Sequence, residues 1–453
     1  MSNVDVIIGQ FILVYREKLC REDKKCFFNK IGATFVKDIG VKNELEMDLI
    51  TLSKSNELWA GFDLELDAER IATHIELVSG QKLTCIPDKY WKMEREESRP
   101  IFQRGYKKMM LNLCGPNNFP GNPYQPPNDP LYKNQWGIEN TAIDQVWKEF
   151  RIVGADVRIG VFDSGSDSSH QDLHTTFVKG YNFTNIPVDE PHNTQDIFGH
   201  GTKVSGIIAA TTNNGEGIAA VAPGSKVIPF KVVGNDGLIV LSGWIDALSF
   251  VINESEKKKK KIVDIINMSI AKVDLDGKEK EPLTFLINKI VEELGIPVVA
   301  AAGNRQDIGK EVFPALLRNV IAVTAIEADN QIYDGGKVVF KPEWVNIAAP
   351  GGTIWTTIVG PNKYGIADGT SYATPIVSGI LALMLELVNR AGLLGVNKAS
   401  YLSKILYDSA TMDLKNPETN EKLPYGRVNA LKAMEMIKED INPPERTNPE
   451  CSC

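Results

Sequence analysis

The chain has 453 residues, 43% of them hydrophobic, and a formal net charge of −8 at pH 7. This length allows two or three domains with a large buried core, and the acidic balance argues against a nucleic-acid-binding protein. No apolar run reaches the roughly 18 residues that a membrane span requires, so we expect no transmembrane segment.

Residues 1–95 are predicted to form a small α+β domain. Short runs of β-branched and aromatic residues indicate strands, and longer runs with a helical spacing of apolar residues indicate helices. In chain order the expected elements are strand 11–15, helix 21–31, strands 33–36 and 45–52, helix 68–77 and strand 83–86.

Residues 96–130 are predicted to be a linker. Six prolines and several asparagines lie between positions 116 and 130. Proline lacks a backbone donor and has a restricted φ, so this segment is not expected to hold a helix or a central strand. It separates the first domain from a second one, placed at 131–440, which is followed by a flexible tail at 441–453.

The second domain is predicted to be α/β, with a doubly wound, mainly parallel sheet flanked by helices. Its strand-length runs are apolar nearly throughout, as expected for strands buried on both faces, and they alternate with helical segments. The expected strands are 157–162, 226–232, 262–270, 297–302 and 320–324, and the expected helices are 202–210, 242–252, 283–294 and 374–389.

In such a sheet, functional groups gather beyond the carboxyl ends of the strands. Asp163 directly follows one predicted strand, and Asn304 comes two residues after another. His200, between two glycines, and Ser371 stand at predicted helix starts. Serine becomes a nucleophile when a histidine takes its proton and a carboxylate orients that histidine. Taken singly, each residue has a structural alternative, such as a helix cap or a turn.

Three motifs resemble the active-site blocks of the subtilisin-like serine proteases and occur in that family's order. They are Asp163-Ser164-Gly165, Gly199-His200-Gly201-Thr202 and Gly369-Thr370-Ser371-Tyr372-Ala373-Thr374-Pro375. Similar blocks also occur at 168–173, 221–223, 267–269, 300–304 and 348–351. The resemblance spans roughly residues 131–440, and it implies a subtilisin-like serine endopeptidase.

The resemblance implies a role for each matching residue. Ser371 would be the nucleophile, His200 the general base, and Asp163 the carboxylate that orients the imidazole. Asn304 would donate its side-chain amide to the oxyanion of the tetrahedral intermediate. The substrates would be polypeptides, hydrolysed through an acyl-enzyme.

The resemblance also implies a substrate cleft. A strand at 267–270 would pair with the substrate backbone, and 237–239 would form the opposite strand of that clamp. The residues expected to line the cleft are Asn267, Ser269, Ile270, Gly237, Ile239 and Arg305. Arg305, at the rim of the primary pocket, would disfavour basic substrate side chains there.

Four positions depart from the family's usual pattern, and Ala271 and Lys272, which replace the usual glycines after the substrate strand, are two of them. Lys203 stands where the family usually has histidine, and Tyr372 where it usually has methionine. None of these changes replaces a member of the triad.

A calcium site is a further expectation from the resemblance. Family members often bind calcium through an aspartate that Asp172 matches and a loop that residues 213–218 match, with the oxygen ligands that this cation prefers. The loop differs in length here, so the alternative for Asp172 is a turn or capping role. The predicted reaction itself requires no cofactor.

The order of elements across residues 8–90 resembles the propeptide domain of extracellular subtilisins. This implies a zymogen in which the chain's own N-terminal domain covers the substrate groove as an intramolecular inhibitor; an unrelated accessory domain is the alternative. No basic segment precedes the apolar stretch at 6–14, and none of the six cysteines lies between 115 and 450. We therefore expect no signal peptide and a cytoplasmic or other intracellular location.

Two other functions are compatible with the same features. A peptide ligase or macrocyclase would use the same acyl-enzyme but resolve it with an amine, and the mass of the product would distinguish it because hydrolysis adds water. A catalytically silent binding protein would keep the fold without reactivity, and labelling of Ser371 by a fluorophosphonate would distinguish it.

Overall fold

The computed structural model of this chain describes most of the predicted second domain (131–440) and selected parts of the predicted first domain (1–95). The described residues are 4–15, 24, 27–28, 33–39, 47–52, 71–72, 83–93, 99–100, 126–184, 190–333, 338, 341, 343–393, 397–412, 414 and 422–441. Most of the helices predicted at 21–31 and 68–77, most of the linker and the tail lie outside these residues.

Strands within the described residues are numbered in chain order. They are β1 (Val4–Tyr15), β2 (Ala33–Asp38), β3 (Met47–Leu52), β4 (Leu83–Lys92), β5 (Arg99–Pro100), β6 (Arg158–Asp163), β7 (Tyr181–Asn182), β8 (Lys226–Lys231), β9 (Leu238–Val240), β10 (Ile265–Met268), β11 (Lys272–Val273), β12 (Val298–Ala301), β13 (Val312–Phe313), β14 (Ile321–Ile326), β15 (Ile347–Pro350), β16 (Ile354–Ile358) and β17 (Lys363–Ala367).

The α-helices are numbered in the same way. They are α1 (Trp136–Asn140), α2 (Ile143–Phe150), α3 (His200–Ala209), α4 (Leu241–Lys258), α5 (Gly277–Asn288), α6 (Thr370–Arg390), α7 (Lys398–Asp408) and α8 (Ala430–Ile441). A π-helical segment, Lys289–Glu293, follows α5 directly.

The central sheet is doubly wound and parallel, as the sequence predicted. Its seven strands lie in the order β15-β14-β12-β10-β6-β8-β7. The strands β10, β12 and β14 are buried along their whole length, which is why their sequences are apolar at every position except Asn267 and Thr324. The strand order reverses at β6, which pairs with β8 on one side and β10 on the other. A crevice forms at such a switch point, and Asp163 ends β6 there.

The helix α6 runs through the core of the second domain. It packs on α3 and on the strands β10, β12, β14 and β15. By length and composition α6 is apolar enough to cross a membrane, but 94% of its most apolar window is buried inside the protein. Its hydrophobicity therefore follows from its central position, which also brings the start of α6 close to the mouth of the sheet.

The first domain contributes four strands to a second, antiparallel sheet in the order β2-β3-β1-β4-β9, whose last strand belongs to the second domain. Successive side chains of β1 face opposite sides of this sheet. Phe11 and Leu13 pack in a separate small core with Ile50, whereas Ile12 and Met47 pack in the main core of the protein. One face of the sheet thus packs against Phe27, Phe28 and Ile71, and the other face packs against the second domain.

Five strands of the central sheet, β6, β8, β10, β12 and β14, were predicted to within a few residues. The strand β9 was expected at 237–239, as one side of the substrate cleft. The elements that were not predicted are the strands β5, β7, β11, β13, β15, β16 and β17 and the helices α1, α2, α7 and α8. Two- and three-residue strands have no periodicity to detect, and amphipathic helices near the chain end resemble many surface segments.

Candidate active site

Asp163 and His200 form a buried pair at the switch point of the sheet. His200 is the first residue of α3, and its Nδ1 donates to Asp163 Oδ1 at 2.8 Å, with Oδ2 at 2.9 Å. The backbone N–H of Ser164 donates to the same Oδ1 at 2.7 Å. Because Nδ1 donates its proton to the carboxylate, the neutral imidazole has its lone pair at Nε2. A general base requires this tautomer.

Glycines beside this pair are required by close packing. A Cβ on Gly201 would lie 2.1 Å from the carbonyl oxygen of Gly165 and 3.1 Å from Cβ of Asp163. Gly165 has φ +104°, and a Cβ there would lie 2.3 Å from the carbonyl oxygen of Thr194. The glycines in the first two motifs therefore have a steric cause: they allow α3 to approach the end of β6.

Asp196 is a buried carboxylate that sequence reasoning missed. It accepts hydrogen bonds from the backbone N–H groups of Gly199 (2.7 Å) and Thr202 (2.9 Å) and from Ser164 Oγ (2.9 Å). Ser164 Oγ in turn accepts from the N–H of Gly201 at 2.9 Å. A carboxylate near the start of a helix stabilises its free N–H groups. An aspartate four residues before His200 could therefore have been recognised from the sequence as a residue that caps this helix.

Lys231 is a second missed residue. It ends β8, is 4% exposed, and its Nζ donates to the carbonyl oxygens of Ser164 and Gln195. Burial lowers the pKa of Lys231, and the carboxylates of Asp196 and Asp163 oppose that shift. A cation thus lies beneath the two carboxylates that hold α3 in place.

Ser371 is the second residue of α6 and is 7% exposed. Its Oγ donates to the carbonyl oxygen of Ser269 at 3.1 Å. Gly369, with φ +120°, turns the chain into the helix just before it. The free N–H groups and partial positive charge of the helix start surround the hydroxyl.

Asn267 and Ser269 contact α6 through their side chains. Ser269 Oγ donates to the carbonyl oxygen of Ser371 at 2.8 Å, and Asn267 Nδ2 donates to Ser269 Oγ at 3.0 Å. Ser378, two turns into α6, donates to Asn267 Oδ1 at 2.9 Å. These two side chains hold the start of α6 against the end of β10, whose backbone pairs with β6 and β12.

The orientation of the Asn304 amide is set by the start of α6. The backbone N–H of Thr370 donates to Asn304 Oδ1 at 3.0 Å, and Thr370 Oγ1 lies 3.2 Å from the same oxygen. Because a backbone N–H requires an acceptor, the oxygen of the amide faces Thr370 and the NH₂ group faces away. The backbone N–H of Asn304 donates to Asp307 Oδ2 at 2.9 Å.

The opposite side of the predicted cleft is paired with the first domain. In β9, Ile239 pairs with Trp91 of β4 in antiparallel register, and the N–H of Met93 donates to the carbonyl oxygen of Gly237 at 2.6 Å. Ile239 is 1% exposed, so the strand edge and not the side chain is the contact surface. The chain therefore occupies this edge with its own residues 90–93.

Ile270 and Arg305 are the remaining residues that were expected to line the cleft. Ile270 is 2% exposed and its neighbour Ser269 1%, so both are buried beside the start of α6 in this structure. Arg305 begins the 3₁₀ turn Arg305–Asp307 directly after Asn304 and is exposed.

Asp172 is fully buried, and we tested whether its surroundings fit calcium. Its Oδ1 accepts from Asn214 Nδ2 at 2.6 Å, and its Oδ2 accepts from the N–H of Ile218 at 3.2 Å. A Cβ on Gly217 would lie 2.3 Å from Oδ2 and 2.1 Å from the ring of Tyr364. Calcium requires six to eight converging oxygens, whereas N–H donors converge on this carboxylate. The residues as arranged do not fit the ion.

Comparisons with known proteins agree with this architecture. The model of the subtilase family matches residues 154–426. "Thermophilic serine proteinase" from Bacillus sp. (strain AK1) is 32% identical, covering 68% of this chain and 69% of that protein. "Major intracellular serine protease" from Bacillus subtilis (strain 168) is 34% identical over 55% of this chain and 74% of its own. "Thermitase" from Thermoactinomyces vulgaris is 30% identical, covering 68% of this chain and 99% of that protein.

Among solved structures, fervidolysin from Fervidobacterium pennivorans, a keratinolytic enzyme related to subtilisin, matches with a TM-score of 0.66. The match covers 95% of this chain and 61% of that chain at 21% sequence identity, and it supports the fold alone. The family model and the curated relatives go further, because they match more than half of this chain in sequence. The chain belongs to the subtilase family and is a subtilisin-like serine peptidase.

Proposed function

We propose that the chain hydrolyses peptide bonds in polypeptides through an acyl-enzyme, with Ser371, His200 and Asp163 as its triad. The observation that carries this is the 2.8 Å hydrogen bond from His200 Nδ1 to Asp163 Oδ1, at a sheet end where the start of α6 presents Ser371. The imidazole would take the Ser371 proton as Oγ attacks the scissile carbonyl, and would then protonate the leaving amine. Water resolves the acyl-enzyme by the same route.

The hydroxyl of Ser371 would change partner during this reaction. It donates to the carbonyl oxygen of Ser269 in the observed rotamer, and rotation about Cα–Cβ between staggered positions redirects it. Catalytic hydrogen bonds are often long or misdirected without substrate and tighten once it binds.

Asn304 is proposed to stabilise the tetrahedral intermediate. Its Oδ1 is engaged by Thr370, so its NH₂ group is the part left to donate to an oxyanion. The backbone N–H of Ser371, at the start of α6, would be the second donor. Two donors held by packing and hydrogen bonds need little reorganisation as charge develops.

We also propose that residues 1–95 form an inhibitory domain, joined by the linker 96–130 to a catalytic domain at 131–440. The support is the pairing of β4 with β9, which places a segment of this chain where a substrate strand would pair. The chain would then be a zymogen whose activity rises once this segment leaves the cleft. Arg305 would disfavour basic side chains in the primary pocket.

Two finer points follow the same reasoning. An intracellular site of action is proposed because relatives include the "Major intracellular serine protease" and "Intracellular serine protease" of two bacteria. The reaction needs no cofactor, and a calcium ion at Asp172 is not proposed because N–H donors engage that carboxylate.

The test is the Ser371→Ala variant of the full chain, compared with wild type on a fluorogenic peptide and with a fluorophosphonate probe. We expect loss of turnover and of labelling with an unchanged circular dichroism spectrum. Ordinary hydrolysis by the folded variant would overturn the triad. Mass spectrometry of the products separates hydrolysis, which adds one water, from ligation or cyclisation, which does not. A wild-type chain that resists labelling both before and after cleavage in the linker 96–130 would indicate a silent binding protein.

A further inference from the structure

Lys203 and Tyr372, two of the residues that depart from the family's usual pattern, contact each other beside His200. Lys203 Nζ donates to Tyr372 Oη at 3.3 Å and lies 5.6 Å from the ring centroid. The Tyr372 ring lies against the His200 imidazole, with centroids 5.5 Å apart. Lys203, Tyr372 and His200 are 5%, 0% and 3% exposed, so water screens their interactions only weakly.

The positions of these residues link the two helices of the proposed site. His200 and Lys203 are three residues apart in α3 and therefore share a face of that helix. Tyr372 directly follows Ser371 in α6, which packs against α3. The Lys203–Tyr372 contact thus joins the helix that bears the base to the helix that bears the nucleophile.

The charged groups around His200 lie on its other side. Among the described residues, β6 contributes Asp163, which engages Nδ1, and β8 contributes Lys231, which interacts with Asp163 and Asp196. Asp196 is engaged by N–H groups at the start of α3. The strand β16, which also packs on α3, carries no charged residue. Lys203 is therefore the cation that α3 itself brings to the Tyr372 side of the imidazole.

We propose that Lys203 and Tyr372 position His200 and keep its imidazole neutral, and so able to accept a proton, at a more acidic pH than an uncharged residue at position 203 would allow. This inference rests on the proposed function. A buried ammonium opposes formation of an imidazolium nearby. The Tyr372 oxygen accepts from that ammonium and its ring face attracts it, which holds the charge in place despite burial. Both are positioning residues, because they act through His200.

The first test is the pH profile of kcat/KM for wild type and Lys203→Met, which replaces the ammonium by an uncharged side chain of similar length. We expect the acid limb to move to higher pH by about 0.5 to 1 unit, the size expected for a unit charge that acts on His200 from beyond the Tyr372 ring with partial screening. Lys203→Arg, which retains the charge, should keep its acid limb near that of wild type. Superimposable profiles for wild type and Lys203→Met would overturn the proposal.

The second test is a double-mutant cycle with Tyr372→Phe, which keeps the ring against His200 and removes only the hydroxyl. We expect a smaller shift of the acid limb in the same direction. Because the hydroxyl acts through Lys203, Tyr372→Phe should add almost nothing to Lys203→Met. Additive shifts would show that the two side chains act separately and would contradict the pair. This variant also keeps the proposal testable if Lys203→Met fails to fold.

Controls separate this inference from the proposed function. Thermal unfolding midpoints and titration of active sites with a fluorophosphonate correct each rate for misfolded protein. If Ser371→Ala retains activity, the triad itself is wrong. If Ser371→Ala is inactive while Lys203→Met keeps the acid limb of wild type, the triad stands and only the role of Lys203 and Tyr372 is rejected.

Discussion

At the scale of single residues, hydrogen bonds to neighbouring backbone determine which atoms face the cleft. Asn304 is the clearest case. The N–H of Thr370 donates to its side-chain oxygen, so its NH₂ group points elsewhere and can donate to another acceptor. Asn267 and Ser269 are the opposite case, since their side chains bond to each other and to α6. Residue type alone would not have separated these roles.

Asn304→Leu tests the proposed oxyanion donor. It removes the NH₂ group at similar volume, and we expect kcat to fall by about 10²–10³, the magnitude established for this donor in subtilisin, with little change in KM. Thr370→Val is the matched control: it removes the hydroxyl near Asn304 but keeps the backbone N–H that orients the amide, so we expect a loss below about tenfold. Equal losses in the two variants, measured with the same peptide, would contradict the role of the amide.

At the scale of elements, α6 is joined to the loop before β6 by one buried carboxylate. Glu386 lies near the end of α6 and is 2% exposed. Its Oε2 accepts from the backbone N–H groups of Val153 (2.9 Å), Gly154 (2.6 Å) and Ala155 (2.8 Å). It also forms an ion pair with Arg390. The glutamate that interrupts the apolar pattern of α6 thus satisfies three donors of a turn.

Glu386→Ala should destabilise the protein without altering the site. It leaves one buried and two partly buried N–H groups without this acceptor, and we expect the free energy of unfolding to fall by about 3 kcal/mol. Glu386→Gln retains an acceptor oxygen and should lose roughly half of that. Urea unfolding in the Ser371→Ala background, which prevents self-digestion, measures both. A Glu386→Ala protein as stable as its parent would show that water replaces the carboxylate.

The loop around Asp172 links stability to pH. Burial raises the pKa of Asp172 to about 7 and that of Asp129 to about 6. Both values lie above those of the unfolded chain, so between about pH 4 and 7 the folded state binds more protons than the unfolded state. This contribution to stability is complete below about pH 4 and is lost as the pH rises through the folded pKa values.

We therefore expect the free energy of unfolding to fall by on the order of 2–4 kcal/mol between pH 5 and 8. In Asp172→Asn, measured in parallel by urea unfolding in the Ser371→Ala background, most of that dependence should disappear. Millimolar calcium at pH 8 should leave the midpoint unchanged, because N–H donors engage Asp172. A rise in stability on adding calcium would show that the loop rearranges to bind the ion.

At the scale of the whole molecule, the two domains are connected by a shared sheet, a shared core and an ion pair. Ile12 and Ile39 of the first domain pack in the main core, and β4 pairs with β9. Lys37 of β2 forms an ion pair with Asp246 of α4. Burial raises the pKa of Asp246, and Lys37 opposes that shift. Docking of the first domain thus brings Lys37 into contact with the Asp246 carboxylate.

Lys37→Glu tests whether this docking inhibits the enzyme. The reversal places two carboxylates together and should weaken docking by about 1–2 kcal/mol, which is about five- to thirtyfold in the docking equilibrium. We expect the full-length chain to cleave a short fluorogenic peptide several times faster than wild type. Combining Lys37→Glu with Asp246→Lys restores opposite charges and should restore the low rate. An unchanged rate for Lys37→Glu, or a double variant as fast as the single one, would count against inhibition by this domain.

The sequence by itself determined the doubly wound fold and identified the residues proposed for the triad and for the oxyanion hole. Buried parallel strands are continuously apolar, and the glycines beside Asp163 and His200 are required by packing, so both leave signals that are local in the chain. Glycines mark such positions before any contact is known.

Only the tertiary structure decided which side chains support those residues. Asp196 and Lys231 act through contacts between segments far apart in sequence, and the Lys203–Tyr372 contact joins two helices. The same holds for Asp172, whose N–H donors lie 42 and 46 residues further along the chain. Hydrogen bonding and charge depend on distances of a few ångströms, and those distances exist only once the chain has folded.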